Sequence, residues 1–149
     1  MKEKDDQKSA EAFIARDRFA RDMGIELVAV SPGRATARLE ITEAHHNGLG
    51  MAQGGAVFTL ADLAFAAASN SHGSVAVAIN ASISFMKATA GGVLTAEAEE
   101  ITANPKLSTY TVRVTDDTGD VVAIFQGMAY RKKEAVGSGI KPGWPTAAP

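Results

Sequence analysis

The sequence predicts an α+β domain in which one antiparallel sheet of about six strands covers a long buried helix, with a further helix at the N-terminus. Two observations predict this class. The stretch 54–70 is apolar on nearly every side, as in a helix enclosed by other elements. Six short strand-like segments accompany it, two before the helix and four after it. A sheet of that size needs a cover for its apolar face, and 54–70 is the segment apolar enough to provide it.

The N-terminal third predicts a packing helix and a hairpin. Ser9 can cap a helix that runs to about Met23 and stops at Gly24. Two extended segments follow, Ile25–Val30 and Ala35–Ile41, joined by a turn that contains Pro and Gly. At 149 residues the chain fits one domain. We place it at residues 9–131, between a flexible N-terminus (1–8) and a flexible Gly/Pro-rich tail (132–149).

The second half predicts a run of strands after the core helix. A polar loop from Thr42 to Ala52 leads into the helix Gly54–Asn70. The breaks after it carry the Gly, Pro, Asn and Asp of tight reversals, so the strands read as an antiparallel meander. The four strands are Val75–Met86, Val93–Ala103, Leu107–Thr115 and Val121–Tyr130.

Composition excludes several classes of function. The net charge of −2 gives no broad basic surface for nucleic acid. The start of the chain is charged, and the longest apolar stretch contains Asp62, so neither a signal segment nor a membrane span is expected. The chain has no cysteine, which excludes disulfides and a thiolate nucleophile and fits a reducing compartment, with the cytoplasm as the default.

The core helix also holds the best candidates for chemistry. Gly54 and Gly55 stand at its start, where unpaired N–H groups and the positive end of the helix dipole can bind a developing oxyanion. A Gly-Gly pair is also explained by close packing or a turn. Asp62 lies among apolar residues, where a carboxylate is costly unless it is paired or used. The residues leave two interpretations open, a functional Asp62 or one hydrogen-bonded in a seam with Thr59, Ala66 and Ser69.

Helix geometry constrains how these groups can act together. Asp62 follows Gly54 by eight residues, which corresponds to about 12 Å along a helix. The two cannot reach one carbonyl within one chain. Antiparallel pairing of two such helices about a two-fold axis would bring Asp62 of one subunit towards Gly54 of the other. The sequence therefore predicts a site shared between subunits.

Other motifs add little. His45, His46 and His72 lack the spacing of a metal site, so we expect no metal, and His46 is kept as a minor candidate for substrate contact. Neither a dinucleotide fingerprint, a P-loop nor a G-x-S-x-G elbow is present. The basic residues, Lys87 among them, can meet phosphates of a large cofactor, although scattered lysines are usually only solvated.

The pattern Asn47-Gly48, Gly54-Gly55-Ala56-Val57-Phe58-Thr59-Leu60-Ala61-Asp62 resembles the hot-dog-fold acyl-coenzyme A thioesterases. Within them it is most similar to the phenylacetate-degradation (PaaI-type) branch. The similarity continues through Ala64-Phe65-Ala66 and Ile83-Ser84-Phe85-Met86, and spans about Met23 to Tyr130. It implies a long helix wrapped by a curved antiparallel sheet, which agrees with the order of elements above.

The resemblance also implies an activity and roles for residues. It implies hydrolysis of aryl- or short- to medium-chain acyl-coenzyme A by a homodimer or homotetramer, with coenzyme A as part of the substrate and no separate cofactor. By motif match, Gly54 polarises the carbonyl, Asp62 of the facing subunit attacks or activates water, and Asn47 assists. Substrate contacts are expected at Gln53, Gly55, His46 and Lys87.

Two positions depart from the family pattern. Relatives usually have His where this chain has Gln53, and Gln cannot become a cation. This departure motivates an alternative, a non-catalytic protein that binds acyl-coenzyme A. A hydratase is a further alternative, but Ala66 and Ala67 stand one turn after Asp62, where a His is generally used. The other departure is Lys87-Ala88, where relatives commonly have a proline after a basic residue.

Overall fold

A computed structural model describes residues 1–137 and contains a six-stranded antiparallel sheet packed against a central helix. The predicted α+β class is therefore confirmed. The helices are α1 (Lys2–Ile14), α2 (Arg18–Asp22) and α3 (Gly54–Ser69). The strands are β1 (Glu26–Ser31), β2 (Arg34–Glu40), β3 (Ser74–Phe85), β4 (Val93–Ala103), β5 (Leu107–Thr115) and β6 (Val121–Ala135). A single turn of 3-10 helix, Glu43–His45, lies between β2 and α3.

The strand order is β1-β2-β4-β5-β6-β3, with every neighbouring pair antiparallel. The predicted meander holds for β4, β5 and β6, but the prediction that β3 begins it is wrong. β4 already pairs with β2 on one edge and with β5 on the other. The connection 86–92 is long enough to carry the chain across to β4. β3 pairs with β6 instead and forms one edge of the sheet.

The core lies between α3 and the sheet, and α3 contacts all six strands. Small side chains let the sheet approach the helix closely, since Ala61, Ala64, Ala67 and Ala68 are fully buried. The ring of Phe65 packs on Tyr110 and Phe125, with centroid distances of 5.5 and 5.6 Å. A Cβ at Gly127 would lie 2.9 Å from the Phe65 ring, so β6 needs glycine opposite the helix. This close packing along its length holds α3 rigidly in place.

The N-terminal region differs from the prediction of one helix from Ser9 to Met23. α1 begins at Lys2 and ends at Ile14, and α2 follows after a break. The break forms because Asp17 has an extended backbone and its side chain accepts the N–H of Ala20 at 3.0 Å, which starts a new helix. Ala10 and Ile14 are buried, so α1 covers part of the core.

Two stretches outside the predicted domain, at its two ends, have regular secondary structure. Residues 2–8, predicted as a flexible N-terminus, are helical. Residues 132–135, predicted as the start of a flexible tail, belong to β6. Their charged side chains suggested a loop, but main-chain pairing with the start of β3 continues the strand, with Ser74 opposite Ala135. Residues 138–149, the rest of the predicted tail, lie outside the described residues. No helix within residues 1–137 is long and apolar enough to span a membrane.

The C-terminus of α3 depends on Asn70, which is fully buried. Its Nδ2 donates to the carbonyl of Ala66 at 2.9 Å and to that of Ala76 at 3.2 Å. Its Oδ1 accepts the N–H of Ala76 at 3.0 Å. One side chain thus replaces main-chain pairing on both sides of the turn and joins the end of α3 to the start of β3.

We expect Asn70→Asp to lower the free energy of unfolding by about 3 kcal/mol, because two carbonyls lose their donor and a buried carboxylate faces them. Urea denaturation measures this. Asn104→Asp is the matched control, since Asn104 is exposed and its Oδ1 only accepts, from Lys106 and Leu107. Equal losses in both variants would contradict the role assigned to Asn70.

Candidate active site

Asp62 lies on the side of α3 that the sheet leaves partly open. That side carries a stripe of partly or fully exposed residues: Gly55, Phe58, Thr59, Asp62 and Ala66. Three members of the predicted seam are therefore accessible, whereas Ser69 is buried and donates to the carbonyl of Ala66. Within residues 1–137 the Asp62 carboxylate has neither a hydrogen bond nor an ion pair. The interpretation of Asp62 as hydrogen-bonded inside one chain is therefore not supported by the fold.

Burial raises the pKa of Asp62, and the negative charge of Asp17 raises it further. Both effects disfavour the charged carboxylate and make it a stronger base. A half-buried carboxylate that lacks a partner is a cost to stability. Such a group is a candidate for catalysis, because a raised carboxyl pKa suits proton abstraction.

The start of α3 is capped by Gln53. Its Oε1 accepts the N–H of Gly55 and, at 3.3 Å, the N–H of Ala56. The N–H groups of Ala56 and Val57 also donate to the carbonyl of Gln53. Among the first four N–H groups of the helix, the one on Gly54 is therefore left available to an external acceptor in the described part of the chain.

Both glycines at this turn are required by close approach. A Cβ on Gly54 would lie 3.1 Å from the ring of Phe85, which comes from the end of β3. A Cβ on Gly55 would lie 2.6 Å from the capping Oε1 of Gln53. Packing thus accounts for the Gly-Gly pair.

Asn47 shapes the loop before the helix. Its Oδ1 accepts the N–H groups of Leu49 at 2.9 Å and Met51 at 3.2 Å, so the loop folds back over its own side chain. Asn47 and Gly54 line a cavity of about 340 Å³ together with Lys87. Its apolar lining comes from Leu49, Met51, Ala52, Val57, Phe85, Met86 and Val122. The structure brings these three predicted site residues to one cavity.

Lys87 stands at this cavity but is engaged by two carboxylates. Its Nζ lies 2.6 Å from Asp116 and 2.8 Å from Asp120, both in the turn between β5 and β6. The hydrogen bonds to Asp116 and then to Asp120 raise the pKa of Lys87, so it stays charged. An ammonium neutralised in this way is a weaker phosphate ligand than the sequence indicated.

The three histidines hydrogen-bond to other parts of the fold. His46 Nε2 lies 2.7 Å from the carbonyl of Ala90, which ties the loop before α3 to the connection between β3 and β4. His45 Nδ1 accepts the N–H of Thr42, so its Nε2 is the donor to the carbonyl of Met23 at 2.7 Å. His72 pairs with Glu100 at 2.8 Å. Within residues 1–137 no group of three or more possible ligands is arranged for a metal ion.

Four of the predicted site residues do not line the cavity beside Gly54: Gln53, Gly55, His46 and Asp62. Asp62 is the one among them that lies far along α3 from Gly54. Since α3 is an uninterrupted helix over both residues, they are about 12 Å apart along its axis. Sequence reasoning also missed Phe85, which lies over Gly54, and Asp17, which acts on Asp62. An aromatic residue at a strand end and an Asp before a short helix were the signals available for them.

Comparisons with known proteins bear on this arrangement. The model of the thioesterase superfamily matches residues 49–123, a range that contains Gly54, Asp62 and Lys87. A putative esterase of Archaeoglobus fulgidus is 37% identical over 119 residues, which are 79% of this chain and 77% of that protein. The acyl-coenzyme A thioesterase PaaI of Escherichia coli is 33% identical over 124 residues, 83% of this chain and 89% of that protein. The solved structure of the E. coli PaaI protein from the phenylacetic acid degradation operon has a TM-score of 0.83 and 31% identity, and the match covers 87% of this chain and 95% of that one.

We expect Gln53→Ala to lower the free energy of unfolding by about 1 kcal/mol, because the N–H groups of Gly55 and Ala56 lose their cap. Gln53→Glu should retain the wild-type value, since a carboxylate accepts the same bonds and suits the helix dipole. Thermal unfolding of the two variants measures this. A loss in Gln53→Glu as large as in Gln53→Ala would contradict the capping role.

Proposed function

The chain belongs to the thioesterase superfamily, and from that premise we infer that it hydrolyses acyl-coenzyme A thioesters to the free acid and coenzyme A. Its similarity to the E. coli acyl-coenzyme A thioesterase PaaI extends over most of both chains. The observation that carries the proposal is that α3 bears two groups without partners among the described residues. They are the N–H of Gly54 and the partly open carboxylate of Asp62. These are the donor and the base that thioester hydrolysis needs.

The chemistry follows from these two groups. The Gly54 N–H hydrogen-bonds the thioester oxygen and stabilises the negative charge that develops there. In one route Asp62 takes a proton from water as the water oxygen bonds to the carbonyl carbon, and the thiolate then leaves and is protonated. In the other, the Asp62 carboxylate displaces the thiolate to form an anhydride, which water hydrolyses. The raised pKa of Asp62 supports both routes, and no separate cofactor is needed.

We propose that the site is shared between two subunits. Within one chain Gly54 and Asp62 are about 12 Å apart on a rigid helix, too far to act on one carbonyl. Two α3 helices that lie antiparallel would place Asp62 of one copy beside the Gly54 turn of the other. The open stripe on α3 is the surface available for that contact.

The edge strand β3 supports the same assembly. It runs for 12 residues without a charged residue, and Ala78, Ile79, Ala81 and Phe85 are exposed. Its register with β6 is continuous from Asn80 to Phe85, so its outer edge offers an even row of main-chain groups. A soluble sheet normally protects such an edge. β1, the opposite edge, is short, has a bulge and carries Glu26. We propose that β3 pairs with β3 of a second copy.

A dimer of two such dimers, a homotetramer, is the proposed full assembly. The outer sheet face near β3, β5 and β6 supports it, since this face has a depression of about 380 Å³ whose lining lacks charged residues. The residues of that lining include Asn80, Ser82, Thr109, Thr111, Gln126 and Met128. An uncharged polar face suits contact between subunits. The cytoplasm remains the proposed compartment, supported by the absence of cysteine.

The remaining site residues receive narrower roles. We propose that Gln53 and Gly55 shape the oxyanion turn, that His46 holds its loop, and that Asn47 presents its amide hydrogens to the substrate. Lys87 contributes to binding mainly by holding the acidic turn that contains Asp116 and Asp120. The substrate is proposed to be an aryl- or short- to medium-chain acyl thioester, phenylacetyl-like compounds included, because the cavity at Gly54 is apolar and of moderate size.

We expect Asp62→Asn to lower kcat/KM at least about 100-fold, because the base or nucleophile is lost. Release of free thiol from a panel of aryl- and acyl-coenzyme A compounds measures it. The free energy of unfolding should stay equal or rise, since Asp62 has no partner to lose. Because the pKa of Asp62 is higher in the folded than in the unfolded chain, wild-type stability falls as the pH rises from the unfolded pKa to the folded pKa. Any gain in the stability of Asp62→Asn over the wild type is therefore complete only above the folded pKa.

The exposed Asp22→Asn is the control with the same change in charge, and it should keep wild-type activity. Full activity in Asp62→Asn would refute the proposed mechanism. Tight binding of acyl-coenzyme A without thiol release by the wild type would favour the non-catalytic alternative.

We expect Ala81→Lys to convert the assembly into monomers and to abolish thiol release, because it adds a charged side chain to the β3 edge of each copy, and charged residues on an edge strand oppose pairing. Light scattering after gel filtration and the thiol assay measure the two effects. Val28→Lys, an exposed apolar position on the opposite edge strand, should leave the assembly intact. Active monomers of Ala81→Lys would show that each chain holds a complete site.

A further inference from the structure

Lys87 is the one charged residue that lines the cavity beside Gly54 in the described part of the chain. It follows Phe85 by two residues, and the Phe85 ring lies so close to Gly54 that a Cβ there would be 3.1 Å away. Two residues span at most roughly 7 Å of extended chain, so Lys87 begins near the proposed oxyanion turn. Its N–H donates to the carbonyl of Val122 at 3.2 Å, which fixes its main chain. Charge at this position therefore acts on a thioester that enters the cavity.

Asp116 holds the Lys87 ammonium from a fixed position. Its Oδ1 accepts the N–H groups of Thr118 at 3.0 Å and Asp120 at 3.1 Å, and the Thr118 hydroxyl at 2.6 Å. Its Oδ2 lies 2.6 Å from the Lys87 Nζ, and only 10% of the Asp116 side chain is exposed. One carboxylate, held by the turn that contains it, is thus enough to neutralise the ammonium.

Asp120 adds a second carboxylate to the same ammonium. Its Oδ2 lies 2.8 Å from the Lys87 Nζ, and 63% of its side chain is exposed. Its carbonyl accepts the N–H of Asp116 at 3.0 Å, so its place in the turn is fixed as well. One ammonium and two carboxylates leave this group with one net negative charge. An exposed ion pair contributes little to stability, so stability alone does not account for the second carboxylate.

The rest of the turn adds to this excess of negative charge. Asp117 lies between the other two aspartates, and its carboxylate accepts the N–H of Val93 at 3.0 Å. The segment 116–120 contains three aspartates and no basic residue. Exposed charges act on one another over about 10 Å at 0.1 M salt. A phosphate group brought to this side of the cavity is therefore repelled even where it does not touch the turn.

We propose that Asp120 is a specificity-determining residue, which weakens the binding of thioesters whose thiol portion carries phosphate groups. Coenzyme A carries such groups, whereas pantetheine ends in the same thiol and has none. The inference rests on the proposed function, because it concerns the thiol portion of the same substrate. The phosphates do not react, so the repulsion acts equally on the bound substrate and on the transition state and changes KM rather than kcat.

The test compares one acyl group carried on coenzyme A and on pantetheine, with release of free thiol as the measurement. Asp120→Asn removes the charge and keeps an oxygen that can accept from Lys87. We expect KM for the coenzyme A thioester to fall by a factor of about two to five, the effect of one exposed charge pair, with kcat unchanged. KM for the pantetheine thioester should stay the same. The difference between Asp120→Asn and the wild type should shrink as salt is added.

Two further variants are the controls. Asp120→Glu retains the charge and should keep the wild-type KM values. Asp22→Asn makes the same change in charge at an exposed position on α2, outside the cavity lining, and should leave both KM values unchanged. If KM for the coenzyme A thioester is unchanged in Asp120→Asn, or changes equally for both thioesters, the inference is wrong and the proposed function stands. An equal effect in Asp22→Asn would overturn it as well.

A wild-type protein that releases thiol from neither thioester would instead refute the proposed function. Calorimetric titration with coenzyme A itself then decides the inference, because it needs no turnover. Tighter binding by Asp120→Asn than by the wild type would support the role of Asp120. Equal binding, or binding by neither protein, would contradict it.

Discussion

The packing of α3 against all six strands fixes the distance between the two groups proposed to do chemistry. A helix held along its whole length by alanines and the Phe65 cluster cannot bend to bring Gly54 and Asp62 together. The same packing determines which side of α3 stays open. Asp62 lies on that open side. The sheet that keeps α3 from bending, and so keeps the two groups apart within one chain, therefore also leaves Asp62 accessible to a second chain.

The start of α3 shows how one turn can serve both stability and function. A helix start has unpaired N–H groups, and leaving all of them free would be costly in a partly buried place. The side chain of Gln53 accepts the N–H groups of Gly55 and Ala56. Among the described residues, the N–H of Gly54 is left without a partner. Gln53 therefore caps the helix without a positive charge, because its amide oxygen accepts these bonds. What Gln53 does not supply is a titratable group at the oxyanion turn, and Asp62 is left as the nearest titratable side chain on α3.

Sequence patterns predicted most elements of this fold, and their failures have physical causes. β4 and β5 match their predicted ranges because each is bounded by strong turn residues and alternates clearly. The partner of β3 could not be read from the sequence, since a strand order depends on which edges are already occupied. The two-helix N-terminus was missed because Asp17 fits a helix interior and a helix cap equally well in a pattern. The expectation that Gly54 and Asp62 lie on one helix about 12 Å apart is confirmed, since helical spacing follows directly from the sequence. The pairing of Lys87 with Asp116 and Asp120 joins distant segments and left no local signal.

Two destabilising features of the single chain would be relieved by the same contact with a second copy. Asp62 is a half-buried carboxylate without a partner in the described residues, and Asp17 adds repulsion to its desolvation. β3 is a long uncharged edge, and no other strand within residues 1–137 pairs with its outer side. In a monomer, the carboxylate and the open edge would both lower stability, and no interaction would compensate for them. A second copy that pairs along β3 would cover the edge, and its α3 would bring the free Gly54 N–H towards Asp62. The substrate carbonyl would then lie between the two groups that each chain leaves unused.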